Sequence, residues 1–292
     1  MKIFRGAATA LVTPFDHRGE VDFEVWEQLV KRQISSGISA LIVCGTTGEP
    51  STLTTDEKQR LISSAIRIAE GRLPVIAGTG GNNTKKVIED SIAAEDLGAD
   101  ALLIVTPYYN KTSPDGLTAH YHAVADQVKL PIIVYNVPSR TGLNVTPSQL
   151  ASIATHPGIT AMKEASGDIK QLLEMKRLCP DMAFYSGTDE VNLPLLACGG
   201  DGVISVVSNV VPRQIARLCD SFFAGDLATA LEIQLSLMPL IAALFSETNP
   251  IPAKAALSAM GLCEDVLRLP LVPMSDAKRA ALLALLKDGR LI

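Results

Sequence analysis

The sequence predicts an α/β fold, namely a (β/α)8 barrel of the TIM-barrel class with a C-terminal appendage of three helices. Short apolar runs alternate with amphipathic segments along most of the chain, a pattern that is typical of βαβ units. The length of 292 residues suits one such barrel, which takes about 250 residues, together with an appendage. Hydrophobic residues form 47% of the chain and aromatic residues only 4%. A core of Ala, Val, Ile and Leu is expected where parallel strands are buried on both faces.

Eight strands are predicted, beginning near Ala7, Ala40, Val75, Ala101, Ile132, Ile159, Ala183 and Val203. The helices predicted after them are Phe23–Ser36, Asp56–Glu70, Lys85–Leu97, Gly116–Val128, Pro147–Ala154, Ile169–Leu178, Val191–Cys198 and Pro212–Phe223. Thr55 and Thr84 are expected to cap two of the helices at their amino ends. Glycines stand where three helices should end, at Gly37, Gly71 and Gly98.

Eight strand–helix units close naturally into a barrel, which leaves no unpaired strand edge. The alternative is an open, doubly wound sheet, which usually carries a glycine-rich phosphate fingerprint after an early strand. The segment 78–83 has Asn where that fingerprint needs its last glycine, and no Gly-Lys-Ser/Thr motif occurs in the chain. The pattern therefore favours the barrel.

About seventy residues follow the eighth unit. They are predicted to form the helices Leu227–Phe245, Pro252–Met260 and Asp276–Lys287. We therefore expect a catalytic barrel over residues 1–225 and a C-terminal helical domain over residues 226–292. An appendage of this kind covers one face of the barrel or mediates assembly.

Composition excludes several classes of partner. The net charge is −5 and no long basic run occurs, which argues against nucleic acid and anionic membranes. Five scattered cysteines form no Cys-x-x-Cys pair, so neither a disulfide framework nor a zinc site is expected, and a cytoplasmic location fits. No uncharged apolar stretch approaches 18 residues; the nearest, Ile233–Phe245, is shorter and contains Pro239.

Metal and cofactor sites are not expected either. His120 and His122 are two residues apart on a predicted helix and do not share a face. No histidine follows a predicted strand, and the carboxylates do not cluster as ligands of a hard cation would.

The sixth predicted strand delivers a single lysine, Lys163, to its carboxyl end. Because alternate residues of a strand share a face, Ile159, Ala161 and Lys163 are expected to point together into the barrel. Burial favours the uncharged form of an amine, which is a nucleophile that forms an imine with a ketone. The alternative is a solvated lysine that marks a strand end.

Other strand ends carry groups suited to a small anionic substrate. Gly45–Gly48 offers two hydroxyls and backbone N–H groups for a carboxylate, although it could be an ordinary turn. The phenol of Tyr135 could relay protons to Lys163 or only anchor a loop. Arg140 could bind a second carboxylate or lie on the surface. Asp189, at a helix start, is interpreted as a partner of the helix cap and dipole.

Five motifs together resemble the dihydrodipicolinate synthase family, in the right order from the first strand to the appendage. They are Gly-Thr-Thr-Gly-Glu at 45–49, Thr-Pro-Tyr-Tyr-Asn at 106–110, Tyr-Asn-Val-Pro-Ser-Arg-Thr at 135–141, Lys-Glu-Ala-Ser-Gly at 163–167 and Asn-Pro-Ile-Pro-Ala-Lys at 249–254. The related N-acetylneuraminate lyases share the barrel, the lysine and the tyrosine. They usually have Ser in place of Thr46 and lack the arginine of the 135–141 segment, so Thr46 and Arg140 favour the synthase.

The resemblance implies a lyase of lysine and diaminopimelate biosynthesis that needs no cofactor. Lys163 would form an imine with pyruvate, and the resulting enamine would attack L-aspartate 4-semialdehyde. Tyr135 would shuttle protons, and Thr46 would link it to Tyr109 of a neighbouring subunit. The enzyme would accordingly be a homo-oligomer, expected to be a dimer of dimers.

The resemblance also assigns substrate-binding residues. Thr47, with Thr46, would meet the carboxylate of pyruvate, and Arg140 would bind that of the aldehyde. Ile204 would offer a backbone carbonyl near the site, and Gly187 would lie beside the substrate.

Feedback by lysine is expected to be weak. Family members that lysine inhibits bind it at a subunit interface, and Asn82 and Tyr108 match their pattern. Where those members carry Ser, His and Glu, this chain has Pro50, Lys58 and Lys86. Two cations would repel the ammonium groups of the effector.

Two other functions remain open at this stage. One is a related pyruvate aldolase or lyase that acts on a sugar acid. The other is a catalytically silent barrel with a binding or regulatory role.

Overall fold

The computed structural model describes residues 2–292, in which eight parallel strands close into a barrel. The strands are β1 Gly6–Ala10, β2 Ala40–Val43, β3 Val75–Gly78, β4 Ala101–Val105, β5 Ile132–Asn136, β6 Ile159–Glu164, β7 Ala183–Ser186 and β8 Gly202–Ser205. Each strand pairs with its neighbour in the chain, and β8 closes the barrel by pairing with β1 from Gly6↔Gly202 onwards. The predicted fold class is confirmed, and every strand begins within one residue of its predicted start.

Helices follow the strands around the outside. They are α1 Phe23–Ser35, α2 Thr55–Ala69, α3 Thr84–Asp96, α4 Pro114–Ala125, α5 Pro138–Thr141, α6 Pro147–Ile153, α7 Ile169–Leu178, α8 Asn192–Ala197 and α9 Pro212–Phe223. The appendage consists of α10 Leu227–Leu244, α11 Ile251–Ala259 and α12 Asp276–Asp288. The one-turn helix α5 was not predicted.

Two predicted helix caps were wrong by one residue. The side chain of Thr54, not Thr55, accepts from the backbone N–H of Glu57, and the Glu57 carboxylate accepts in turn from the Thr54 N–H. This reciprocal pair is a capping box, which places the cap three residues before the glutamate. Likewise Asn83, not Thr84, caps α3 by accepting from the N–H of Lys86.

The barrel interior is filled by small and branched side chains, among them Ala8, Ile42, Ile133, Ala161 and Ile204. At the amino end of the strands, Phe4 stacks on Tyr185 with ring centroids 4.1 Å apart, and the Tyr185 hydroxyl donates to the Phe4 carbonyl. This end is therefore packed shut, and space for a ligand is left at the carboxyl end.

The pairing of β6 with β5 contains a register shift. Ile132 is opposite Ile159, whereas the next residue, Ile133, is opposite Ala161. Ile159 consequently packs in the outer layer, with the helices, and Ala161 in the inner one. The prediction that Ile159 shares a face with Lys163 is wrong, because the shift reverses the alternation before Ala161.

Helix α10 is long and apolar enough to cross a membrane by length and composition alone. In the structure it packs against α9 and α12. The Gln234 side chain donates to the Asp189 carbonyl and accepts from the Leu193 N–H, which ties α10 to the loop after β7. Leu227, Leu231 and Leu235 lie one turn apart on α10 and are 57%, 48% and 60% exposed. These three leucines form an exposed apolar stripe on α10.

Candidate active site

Lys163 lies inside the barrel near the carboxyl end of β6, as predicted, with only 4% of its surface exposed. It is in register with Tyr135 of β5 on one side and with Tyr185 of β7 on the other. Its Nζ lies 4.3 Å from the centre of the Tyr135 ring. The amine is thus held against an aromatic face in a largely dry site.

Gly187, directly after β7, leaves the space that the lysine side chain occupies. A Cβ at this position would lie 2.8 Å from Lys163 Cε and 2.8 Å from the Ala165 Cβ, which is closer than real Cβ atoms approach. Glycine is therefore required by the close approach of the lysine stem. The structure brings Gly187 and Lys163 together, and the substrate-binding role of Gly187 stays a prediction.

A polar cluster on the outer side of the barrel ties the ends of β5 and β6 together. The Asn136 side-chain amide donates to the Glu164 carboxylate at 3.0 Å, and the Ser166 N–H donates to the same carboxylate at 2.6 Å. Burial raises the pKa of Glu164, and these hydrogen bonds oppose the shift. The cluster fixes the neighbours of Tyr135 and Lys163 on their strands. Sequence reasoning missed it.

The Thr46–Gly48 turn follows β2 and is fixed on two sides. The Thr13 hydroxyl donates to the Gly48 carbonyl at 2.8 Å. From the appendage, the Asn249 side-chain amide donates to the Thr47 hydroxyl oxygen at 3.0 Å. Because that oxygen already accepts a hydrogen bond, the Thr47 hydroxyl hydrogen is available to an anion. The turn thus has a hydroxyl donor suited to a carboxylate, and that Thr46 and Thr47 bind one stays a prediction.

Arg140 is at the end of α5 and is exposed. Its NH2 group donates to the Asn249 carbonyl at 3.1 Å. Asn249 therefore contacts both Thr47 and Arg140, the two groups predicted to bind different carboxylates. No sequence pattern indicated this link, because Asn249 lies more than a hundred residues beyond either of them.

A cavity of about 350 Å³ opens at the carboxyl ends of the strands. Its walls come from the loops after β2, β3, β4 and β5 and from the appendage, and its lining includes Thr46, Tyr108, Arg140, Asn249 and Leu271. Lys163 and Tyr135 do not line it and are only 4% and 6% exposed. The cavity is therefore the entrance side of the site, while the amine lies within the barrel.

Tyr109 is not brought to the site of its own chain. Its side chain is 92% exposed, and its backbone has a φ of +70°, in the left-handed region that residues other than glycine rarely adopt. Its neighbour Tyr108 lines the cavity instead. That Tyr109 acts in the site of a neighbouring subunit stays a prediction.

The end of β8 is organised by a buried carboxylate. Asp189 is 2% exposed and accepts from the Val206 and Val207 N–H groups at 2.9 and 3.2 Å. Its interpretation as a helix cap missed this longer-range contact. Ile204, 1% exposed, lies in the inner cluster on β8, and the role of its carbonyl stays a prediction.

The residues predicted to affect lysine feedback lie partly in the cavity. Pro50, Lys58 and Tyr108 line it, whereas the Lys86 Nζ pairs with Asp90 at 2.6 Å. Lys86 is thus partly neutralised, and of the two lysines only Lys58 lines the cavity, which it shares with Arg140. Weak feedback stays a prediction.

The sequence model of the dihydrodipicolinate synthetase family matches residues 3–289. The 4-hydroxy-tetrahydrodipicolinate synthase of Exiguobacterium sibiricum is 52% identical over 287 residues, with 98% of each chain covered. The structure of the dihydrodipicolinate synthase of Thermotoga maritima superimposes with a TM-score of 0.97 at 47% identity over 100% of both chains. The structure of the Acinetobacter baumannii enzyme, complexed with pyruvate, gives 0.97 at 42% identity, also over 100% of both.

Proposed function

Because the chain belongs to the dihydrodipicolinate synthetase family, we propose that it condenses pyruvate with L-aspartate 4-semialdehyde through an imine on Lys163. The activity is that of a lyase in lysine and diaminopimelate biosynthesis, 4-hydroxy-tetrahydrodipicolinate synthesis. The observation that carries the assignment of Lys163 is its position: a buried amine over the Tyr135 ring, with Gly187 leaving room for its stem.

The reaction follows from imine chemistry. The unprotonated Lys163 amine attacks the ketone carbon of pyruvate, and loss of water gives a protonated imine. This cation withdraws electrons, so a proton leaves the methyl group and an enamine forms. The enamine carbon attacks the aldehyde, and the amino group of the new chain then displaces the lysine by closing a ring. The Lys163 amine is thereby regenerated unchanged.

The surrounding residues bind and orient the two carboxylates. Thr47, whose hydroxyl oxygen is occupied by Asn249, donates its hydrogen to the carboxylate of pyruvate together with Thr46. Arg140 binds the carboxylate of the aldehyde with the guanidinium N–H groups that Asn249 leaves free. Tyr135 transfers protons at the carbinolamine and imine steps, Ile204 offers its carbonyl nearby, and Gly187 lies beside the bound substrate.

The active form is a homo-oligomer, and a dimer of dimers fits two exposed features. Tyr109, 92% exposed, would enter the site of one neighbour. The leucine stripe of α10, Leu227, Leu231 and Leu235, would be covered by a second neighbour, because such a stripe is unfavourable in water. A lysine-pathway enzyme of this composition acts in the cytoplasm on small molecules.

Reduction with borohydride in the presence of pyruvate tests the proposal. We expect a covalent adduct, retained after denaturation, that peptide mapping places on Lys163. The chain supplies its own matched control, since Lys254 is also buried over an aromatic ring and should stay unmodified. Lys163→Ala should give no adduct.

The same experiment separates the alternative functions. A silent barrel would give no adduct at all, which would contradict the proposal. An aldolase for sugar acids would give the adduct but consume a sugar aldehyde with pyruvate instead of aspartate semialdehyde. Turnover with each aldehyde, measured as the consumption of pyruvate, distinguishes the two enzymes.

A further inference from the structure

A second lysine of the chain is buried more completely than Lys163. Lys254, on α11 of the appendage, is 0% exposed. Its Nζ lies 2.6 Å from Glu49 Oε1, donates to the Val266 carbonyl at 2.8 Å and lies 3.9 Å from the centre of the Phe15 ring. At this distance the attraction between the opposite charges of Lys254 and Glu49 holds the pair.

Further contacts enclose this pair. Arg268, after α11, lies over the same Phe15 ring at 4.5 Å, and its backbone N–H donates to Glu49 Oε2 at 3.2 Å. Its guanidinium binds the Glu57 carboxylate and the Thr52 carbonyl. The appendage thus holds the loop after β2 through two cationic side chains that both contact the Phe15 ring.

Glu49 directly follows the turn predicted to bind pyruvate. Its N–H donates to the Thr46 carbonyl at 3.2 Å, and its φ of +53° is in the left-handed region. A non-glycine residue keeps this conformation only where its surroundings hold it. The Glu49 carboxylate is held by Lys254 and by the Arg268 backbone N–H. Lys254 lies five residues beyond Asn249, whose side-chain amide donates to the Thr47 hydroxyl. The segment 249–254 of the appendage therefore contacts this region twice, at Thr47 and at Glu49.

We propose that Lys254 is a positioning residue, whose buried ammonium holds Glu49 and thereby keeps the Thr46–Thr47 turn in the geometry that binds the carboxylate of pyruvate. This role rests on the proposed function of the turn. Replacing a buried ion pair by apolar side chains is often neutral or stabilising, so stability alone is a poor reason for this one. The need to keep the Thr46–Thr47 turn in a defined geometry is a better reason for the Lys254–Glu49 pair.

Lys254→Met keeps an unbranched side chain, one atom shorter, and removes the charge. The measurement is the pyruvate concentration that gives half-maximal borohydride trapping on Lys163, in the folded full-length variant. We expect a rise on the order of tenfold or more, because misplacing a binding group by about 1 Å has effects of up to roughly 10²-fold. The half-saturating aldehyde concentration in steady-state turnover should stay at the wild-type value, since Arg140 keeps its contact with Asn249.

Arg279→Met is the matched control. Arg279 pairs with Asp265 in the same appendage and makes no ion pair with the loop after β2. Arg279→Met should lower the melting temperature without changing the pyruvate concentration that gives half-maximal trapping. Glu49→Gln is the second variant, for use if Lys254→Met does not fold, and it should weaken pyruvate binding in the same selective way.

An unchanged pyruvate dependence in folded Lys254→Met or Glu49→Gln would overturn the proposal. Equal weakening of pyruvate and aldehyde would also overturn it, because that result indicates general loosening. Failure of the proposed function itself is recognised separately, since the wild-type protein would then give no adduct on Lys163 at any pyruvate concentration.

Discussion

The two buried lysines, Lys163 and Lys254, both lie over an aromatic ring and differ in their polar contacts. Each Nζ lies over an aromatic ring, at 4.3 Å from Tyr135 and at 3.9 Å from Phe15. Lys254 also has the Glu49 carboxylate at 2.6 Å, whereas Lys163 takes part in no ion pair among residues 2–292.

A carboxylate partner decides what a buried amine can do. Burial lowers the pKa of Lys254, and Glu49 counteracts this shift, so the partner favours the charged, unreactive form. Lys163 has no carboxylate partner among residues 2–292, so its ammonium is not held in a fixed pair as that of Lys254 is. The proposed role of Lys163 as the nucleophile rests on its position in the site.

The largest effect on turnover is expected when the ring beside Lys163 is made a phenylalanine, like the ring beside Lys254. Tyr135→Phe gives Lys163 the kind of ring that Lys254 has and removes only the phenol. Proton transfer by a positioned side chain contributes roughly 10²–10⁴-fold, so turnover should fall by that factor while the pyruvate adduct still forms. Steady-state rates and trapping are measured on one preparation. Turnover at the wild-type rate would show that the phenol relays no proton.

A smaller effect is expected from crowding the reactive lysine. In Gly187→Ala the new methyl group would meet Lys163 Cε, which lies 2.8 Å from the Cβ position. The stem must shift, and displacing a nucleophile costs up to about 10²-fold. The rate of adduct formation should fall without loss of folding. Gly199→Ala, on the opposite rim near Lys176, is the control for adduct formation: its φ of +87° makes alanine unfavourable, so it should lower the melting temperature and leave the rate of adduct formation unchanged. An unaffected rate in Gly187→Ala would contradict the packing described.

The smallest effect concerns the charges around Lys254. Hydrogen bonds from Arg268 lower the pKa of Glu57 to about 2 from its usual 4.5. A carboxylate with a lower pKa in the folded state stabilises the fold above pH 4.5, and this contribution is lost as the pH falls towards 2. Glu57→Gln should therefore lower the melting temperature at pH 7 and have less effect at pH 3.

The expected size of that change is modest. Partly exposed ion pairs contribute about 0–1 kcal/mol, which corresponds to roughly 2–4 °C at most. Glu174→Gln, which removes the exposed pair with Arg177, is the control and should shift the melting temperature less. If the difference in melting temperature between the wild type and Glu57→Gln grew as the pH was lowered, the prediction would be contradicted.

The sequence predicted those features that depend on local patterns. Strand starts followed from apolar runs, and Lys163 was placed inside the barrel from its strand position. The face of Ile159 was predicted wrongly, because the register shift between β5 and β6 is a property of the pair of strands and not of either segment alone.

The rest of the site depends on contacts between distant parts of the chain. Asn249 reaches Thr47 across about two hundred residues, and Lys254 reaches Glu49 over a similar separation. Periodicity and turn chemistry carry no information about such pairs. Asp189 shows the same limit: its position suggested a helix cap, but its partners are on the next strand end.

The cavity wall formed by Asn249, Pro270 and Leu271 has a consequence for how the protein is made. Domains commonly fold from the amino end while the chain is still leaving the ribosome, and here all eight strands emerge before that wall is synthesised. A nascent barrel would hold Lys163 in place yet lack the residues that grip the Thr46–Thr47 turn. The chain would then bind pyruvate only after its last part has been translated, and a chain terminated before that part would not bind it.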